Sequence, residues 1–166
     1  MPLHESDSII LKTYPLAEAD RIVVFFSRDF GKIRGVANGV RRMKSRFGAS
    51  LEPLALTRVT FFQKETVELV RIRSCELLGS PMKLFADYDR AMLASHVADL
   101  VDRFLPDHEV QDAVFRLFNL ARESLMADCP LDLARCYFEV WMLRLAGVFP
   151  DFFRCSLCGK PLGPDE

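Results

Sequence analysis

Residues 21–37 read Arg21-Ile22-Val23-Val24-Phe25-Phe26-Ser27-Arg28-Asp29-Phe30-Gly31-Lys32-Ile33-Arg34-Gly35-Val36-Ala37. The first six residues are rich in β-branched and aromatic side chains and predict a strand. Asp29-Phe30-Gly31 is turn chemistry. The stretch after it alternates basic and apolar residues. A strand period of two puts Lys32 and Arg34 on one face and Ile33, Gly35 and Ala37 on the other. This is a β-hairpin with a basic face, and the neighbouring sequence extends the pattern. Ser8-Ile9-Ile10-Leu11-Lys12-Thr13-Tyr14, ended by Pro15, predicts a strand before it. Leu54 to Phe62 and Thr66 to Cys75, joined by Gln63-Lys64-Glu65, predict two more after it. Five short strands in about seventy residues, with no long helix, imply a small closed barrel or a sandwich. A five-stranded OB-type barrel fits the count, and a small SH3-like barrel is the competing geometry. Gly31, Gly35 and Gly39 are expected at tight bends and bulges, and no helix pattern follows them to make a phosphate-binding loop.

Beyond residue 82 the apolar period changes to about 3.6. Asp87 is placed to cap a helix running to Phe104, with Leu93, Val97, Leu100, Val101 and Phe104 on one face. Val110, Ala113, Val114, Leu117, Phe118, Ala121 and Leu125 mark a second helix. Pro130 suits the first turn of a third, which stops near Gly147 and Pro150. That third helix carries Leu133, Tyr137, Phe138, Val140, Trp141 and Leu145 on nearly every side, so it is expected in the middle of the bundle. The predicted class is α+β multi-domain: an OB-type barrel over residues 1–78, a helical bundle over 82–150 and a partial zinc-knuckle-like segment over 151–166.

Charge divides the chain in the same place. Residues 1–75 hold 13 Lys and Arg against 8 Asp and Glu, a net +5, while residues 76–166 hold 9 against 15, a net −6. A basic half implies an anionic partner. The cations concentrate in residues 28–46, which contain Arg28, Lys32, Arg34, Arg41, Arg42, Lys44 and Arg46 against the single acid Asp29. Long cationic side chains on a strand face and a following loop suit a phosphate backbone. Phe25, Phe26, Phe30 and Phe47 are candidate stacking planes for unpaired bases, or members of the core. The candidate DNA-binding residues are Lys32, Arg34, Arg41, Arg42, Lys44 and Arg46.

Cys155-Ser156-Leu157-Cys158-Gly159 has the spacing of half a zinc knuckle. A closed structural site takes four ligands, and no further ligand of the needed type follows Cys158, so a pair of free thiols is the equal alternative. Cys129 and Cys136 read as small core residues. With five cysteines and no framework-like spacing, reduced thiols in the cytoplasm are expected. No apolar run is long enough for a membrane span. No catalytic constellation is visible. His4, His96 and His108 fall in separate segments. Glu18 and Asp20 form a lone carboxylate pair that reads as turn or salt-bridge chemistry, with a metal-dependent hydrolase as a remote alternative.

The ordered set Ile10-Leu11-Lys12, Glu18-Ala19-Asp20-Arg21-Ile22-Val23, Phe30 through Arg42, Ser45-Arg46-Phe47, Leu51-Glu52-Pro53, Leu145-Ala146-Gly147-Val148-Phe149-Pro150 and Cys155-Ser156-Leu157-Cys158-Gly159 resembles the bacterial RecO family of DNA repair proteins. The resemblance covers essentially the whole chain. It implies an N-terminal OB barrel, a helical domain and a four-cysteine zinc element whose first pair is Cys155 and Cys158. It also implies a non-enzymatic protein that binds single- and double-stranded DNA and anneals complementary strands. Such a protein helps load RecA onto strands coated by single-stranded-DNA-binding protein. The implied partners are RecR, that coating protein and, in some organisms, RecF. Family members continue through a second cysteine pair, so the chain reads as ending inside its zinc element. An adaptor is the second reading: the bundle would take the acidic-hydrophobic tail of the coating protein in an apolar groove rimmed by Arg90, Arg103 or Arg144.

Overall fold

A computed structural model describes residues 2–40, 45, 47–63, 69–127 and 129–162. Five strands, β1 (Leu3–Leu16), β2 (Asp20–Ser27), β3 (Gly31–Ala37), β4 (Leu56–Phe62) and β5 (Leu69–Gly79), precede three helices, α1 (Tyr88–Phe104), α2 (Asp112–Met126) and α3 (Leu131–Leu145). The strands close into a barrel in the order β1-β2-β3-β5-β4. The β3–β5 pair is parallel, with Arg34 opposite Leu69 and Val36 opposite Arg71. All other pairs are antiparallel. This order is that of an OB barrel, which decides between the two geometries left open by strand count. A register shift between Ile10 and Lys12 bends β1, so that one long strand pairs with β4 through its first half and with β2 through its second.

The centre of β1 and the second half of β2 are buried on both faces. Ile10, Val23 and Phe25 fill the barrel together with Ile33, Ala37, Val59, Phe61, Val70 and Ile72. Their neighbours Ile9, Leu11, Val24 and Phe26 point the other way, into a core made with Val97, Val101, Phe115, Phe118 and Phe138 of the helices. The rings of Phe26 and Phe115 meet edge-on at 5.5 Å. This accounts for the unbroken apolar runs Ile9-Ile10-Leu11 and Val23-Val24-Phe25-Phe26: a strand covered on both sides does not alternate. The change at residues 78–82 is therefore a change of element type, and the core continues across it.

Two glycines have reasons the sequence does not display. Gly35 lies in an unshifted stretch of the β2–β3 ladder, so it is not a bulge. A Cβ there would come within 2.9 Å of side-chain atoms of Val70 and Ile72 inside the barrel. Gly31 has φ +73°, and a Cβ there would lie 2.2 Å from the Glu109 carbonyl oxygen. The loop between α1 and α2 thus seats directly on the start of β3, where the His108 N–H donates to the Lys32 carbonyl at 2.9 Å.

Asp87 caps α1 as expected, accepting from the Arg90 N–H. The expectation for α3 is corrected. Only Phe138 and Met142 of α3 are buried, while Leu133, Tyr137, Trp141 and Leu145 are exposed. The central helix is α2, whose buried set is Val114, Phe115, Leu117, Phe118, Ala121, Arg122 and Leu125. An all-round apolar composition marks a helix that needs covering, but it does not say which neighbour covers it. Cys136 is exposed and Cys129 half-buried, so neither is a core residue. No helix among the described residues is long and apolar enough to cross a membrane.

Because the barrel and helices share a core, Phe26→Ala should destabilise both together, by about 3–5 kcal/mol. Urea unfolding followed by Trp141 fluorescence, which reports on α3, and by the β-sheet circular dichroism signal should shift by the same amount. Separate transitions would contradict a shared core.

Candidate nucleic-acid interface

In β5 the alternation Leu69-Val70-Arg71-Ile72-Arg73 sends Val70 and Ile72 into the barrel and leaves Leu69, Arg71 and Arg73 exposed. Parallel pairing with β3 brings Arg34 and Val36 beside them. The antiparallel pairing with β4 sets Phe62 opposite Arg71. The register skips Arg73, which sits in a bulge with its guanidinium 6.0 Å from the centre of the Phe62 ring. The outer barrel surface therefore carries three arginines around Val36 and Phe62. Among the described residues, neither Arg71 nor Arg73 has a carboxylate partner. Such a surface can hold phosphates by charge and offer one ring edge to a base. Sequence reading places Arg71 and Arg73 in a strand without giving them a role. Their signal is the alternation itself; their nearness to Arg34 depends on the β3–β5 pairing.

The alternation predicts Lys32 on the same open face as Arg34. The two do share a face, but its Lys32 end is covered by the helices. Lys32 is only 6% exposed. Its ammonium donates to the Asp102 carbonyl at 2.6 Å and lies 3.5 Å from the Asp102 carboxylate and 3.2 Å from that of Asp107. An ammonium held this way is not free to meet a phosphate. Arg34 is half exposed and lies 3.6 Å from Asp107. Farther along, Lys12 meets Asp99 at 2.6 Å and Asp102 at 3.0 Å, and Arg28 meets Asp112 at 3.0 Å. Part of the anionic partner implied by the basic half is thus the acidic half of the same chain.

Another cation lies deeper in this seam. Arg122 is 3% exposed, and its Nε–H donates to the Leu54 carbonyl at 2.8 Å. Burial pulls its guanidinium below the usual value. Sequence reading misses Arg122, since a lone Arg on an apolar stripe looks like a register error until its barrel acceptor is seen.

Phe25, Phe26 and Phe47 are at most 2% exposed and belong to the cores, and Phe30 packs edge-on against Phe61 at 5.5 Å. Phe25, Phe26 and Phe47 therefore have no ring free for a base. The loop residues Arg41, Arg42, Lys44 and Arg46 lie outside the described residues. Two residues beyond β3, the Gly39 N–H donates to Asp20 Oδ1 at 2.8 Å. Asp20 thus has a turn-holding role, and Glu18 is exposed in the β1–β2 turn.

Cys155 and Cys158 flank a tight turn. The Gly159 N–H donates to the Cys155 carbonyl, and the Cys155 N–H donates to that of Lys160, both at 2.9 Å. The Cys158 N–H, then that of Leu157, lowers the Cys155 thiol pKa from its ordinary value. Two thiols on one turn suit half of a tetrahedral zinc site. Among the described residues no group of three or more His, Cys, Asp or Glu could hold a metal.

The exposed face of α3 forms a groove with α2. Two adjoining cavities of about 250 and 340 Å³ share Leu120 and Tyr137 and extend to Leu133, Trp141 and Leu145. Arg116 lines one end. Arg144 stacks on Trp141 at 5.3 Å and on Phe149 at 4.9 Å. Arg90 and Arg103 are engaged elsewhere, with the Leu125 carbonyl and with Asp99.

Two family models match the chain: "Recombination protein O N terminal" over residues 1–81 and "Recombination protein O C terminal" over residues 86–166. A DNA repair protein RecO from Koribacter versatilis is 45% identical over 160 residues, covering 96% of this chain and 65% of that protein. One from Syntrophus aciditrophicus is 33% identical, covering 98% and 63%. One from Cutibacterium acnes is 32% identical, covering 100% and 69%. The chain spans just under two thirds of the length of the first two relatives.

The seam also sets a pH dependence. Hydrogen bonds from Lys12, then from Arg103, hold the Asp99 carboxyl below its ordinary pKa. Its folded value lies under its unfolded value of about 4, so its contribution is present above that pH and is lost as pH falls through the folded value. The stability gap between the natural chain and Asp99→Asn should therefore be widest near neutral pH and narrow below about pH 4. Urea midpoints measured from pH 7 to pH 3 check this; a gap that widens on acidification would refute it.

Proposed function

The chain belongs to the RecO family, and from that premise we propose that it is a non-enzymatic, cytoplasmic DNA-binding protein of recombinational repair. In this reading it binds and anneals single-stranded DNA and helps load RecA onto strands coated by single-stranded-DNA-binding protein. RecR, and RecF in some organisms, are its proposed partners. The relatives' shared name, DNA repair protein RecO, supports the repair role. The observation that carries the DNA-binding reading is the outer barrel face, where Arg71 and Arg73, without carboxylate partners among the described residues, stand beside Arg34 and Phe62. Arg34, Arg71 and Arg73, with Arg41, Arg42, Lys44 and Arg46 of the loop after β3, would neutralise phosphates. Annealing follows if neutralising two backbones lowers the repulsion between strands. Cys155 and Cys158 are the proposed first half of a structural zinc site.

A second activity is favoured by one observation. The α2–α3 groove is apolar along Leu120, Leu133, Tyr137 and Trp141 and has Arg116 and Arg144 at its edge. That combination suits an acidic-hydrophobic peptide such as the tail of the single-stranded-DNA-binding protein.

A salt titration of oligonucleotide binding tests the DNA face. Arg71→Ala with Arg73→Ala, and separately Arg41→Ala with Arg42→Ala and Lys44→Ala, should weaken binding to any sequence. Each set should flatten the plot of log affinity against log salt by about 0.7 for each phosphate that is no longer neutralised. Unchanged affinity and slope in both sets would rule this face out.

A further inference from the structure

The phosphate face proposed above ends at a carboxylate supplied by the chain itself. Asp107, in the loop between α1 and α2, has Oδ1 at 3.2 Å from Lys32 Nζ and Oδ2 at 3.6 Å from Arg34 Nη2. One carboxylate thus bridges two cations, and its oxygen at Arg34 stands where a backbone phosphate oxygen would. We propose that Asp107 is a built-in competitor for phosphate: it occupies the Lys32–Arg34 end of the face and lowers the barrel's affinity for DNA until a backbone phosphate displaces it from Arg34. This inference rests on the reading of the outer barrel face as the DNA-binding surface.

Three observations support competition over simple structural pairing. First, the loop has anchors besides this ion pair. The His108 N–H donates to the Lys32 carbonyl, Leu105 is 4% exposed, and the Glu109 backbone rests on Gly31. The carboxylate is delivered by a loop anchored through its backbone, so its charge is free to serve another purpose. Second, Arg34 and Asp107 are the accessible members of the cluster, with side chains 53% and 43% exposed. An exposed pair of this kind adds little stability, and a phosphate can reach its cation. Lys32 has partners besides Asp107: the Asp102 carbonyl at 2.6 Å and the Asp102 carboxylate at 3.5 Å. Third, Arg34 is continuous with Arg71 and Arg73, which have no carboxylate partner among the described residues. Val36, two residues along the same face of β3, is opposite Arg71. A strand lying over Arg73 and Arg71 would bring its next phosphate toward Arg34, where Asp107 now stands.

The test compares Asp107→Asn with the natural chain in oligonucleotide binding. Affinity should rise about fivefold at low salt, the worth of one exposed ion pair released. The salt slope should steepen by about 0.7, the signature of one more phosphate neutralised. Asp132→Asn, on α3 with a side chain 93% exposed, measures the general effect of removing one negative charge. Arg34→Ala with Asp107→Asn should bind no better than Arg34→Ala alone. The competitor is overturned if Asp107→Asn raises affinity no more than Asp132→Asn does, or if its effect survives in the Arg34→Ala background. Weakened binding by Arg71→Ala with Arg73→Ala, alongside an unaffected Asp107→Asn, rejects the competitor and keeps the DNA face. No effect in any of these variants, or in the loop set, rejects both.

Discussion

The structure depends on two strands that are covered on both faces along part of their length. β1 and β2 give one row of side chains to the barrel and the opposite row to the helices. Burying a side chain of this size contributes about 1.5–3 kcal/mol, and each strand does so on both sides. The barrel therefore cannot lose its helices without exposing Ile9, Leu11, Val24 and Phe26. Small barrels of this length have little core of their own to spare. Here the deficit is met by sharing, and α2 becomes the central helix because it lies between the shared core and α3.

Polar groups specify how the two parts meet. Lys12, Lys32, Arg34 and Arg28 on the barrel face Asp99, Asp102, Asp107 and Asp112 on the helices and their connecting loop. Arg122 crosses in the other direction to the Leu54 carbonyl. Most of these ion pairs are partly exposed, and exposed pairs add little stability. Their effect is on orientation, since a rotated docking would leave like charges opposed or Arg122 buried without an acceptor.

This arrangement treats the cations along β1, β3 and β5 differently. Those on β1, on the β2–β3 turn and at the start of β3 are neutralised within the chain. Those on β5 have no carboxylate partner among the described residues, and Arg34 stands at the border between the two. Net charge is a poor guide to such a surface, because it counts all of these cations equally. The apolar groove between α2 and α3 is likewise a consequence of the shared core: with α2 committed to the barrel, α3 has only one buried stripe and exposes the rest.

Much was legible in the chain alone. Strand and helix periods, the Asp87 cap, the basic β3 face and the Cys-x-x-Cys-Gly turn are local, because they depend on residues a few positions apart. The ordered motifs pointed to the family for the same reason. What the sequence could not assign were the partners of each face. Lys32 and Arg34 have the same alternation and the same charge, yet one is buried against Asp102 and the other is half open. Phe25 and Phe26 could be stacking rings or core by sequence, and they are core. Arg71 and Arg73 come beside Arg34 only through the pairing of β5 with β3. By itself the sequence determined which residues share a face. Which faces are covered was decided only in three dimensions, because covering is a contact between segments some seventy residues apart, such as Lys32 and Asp102.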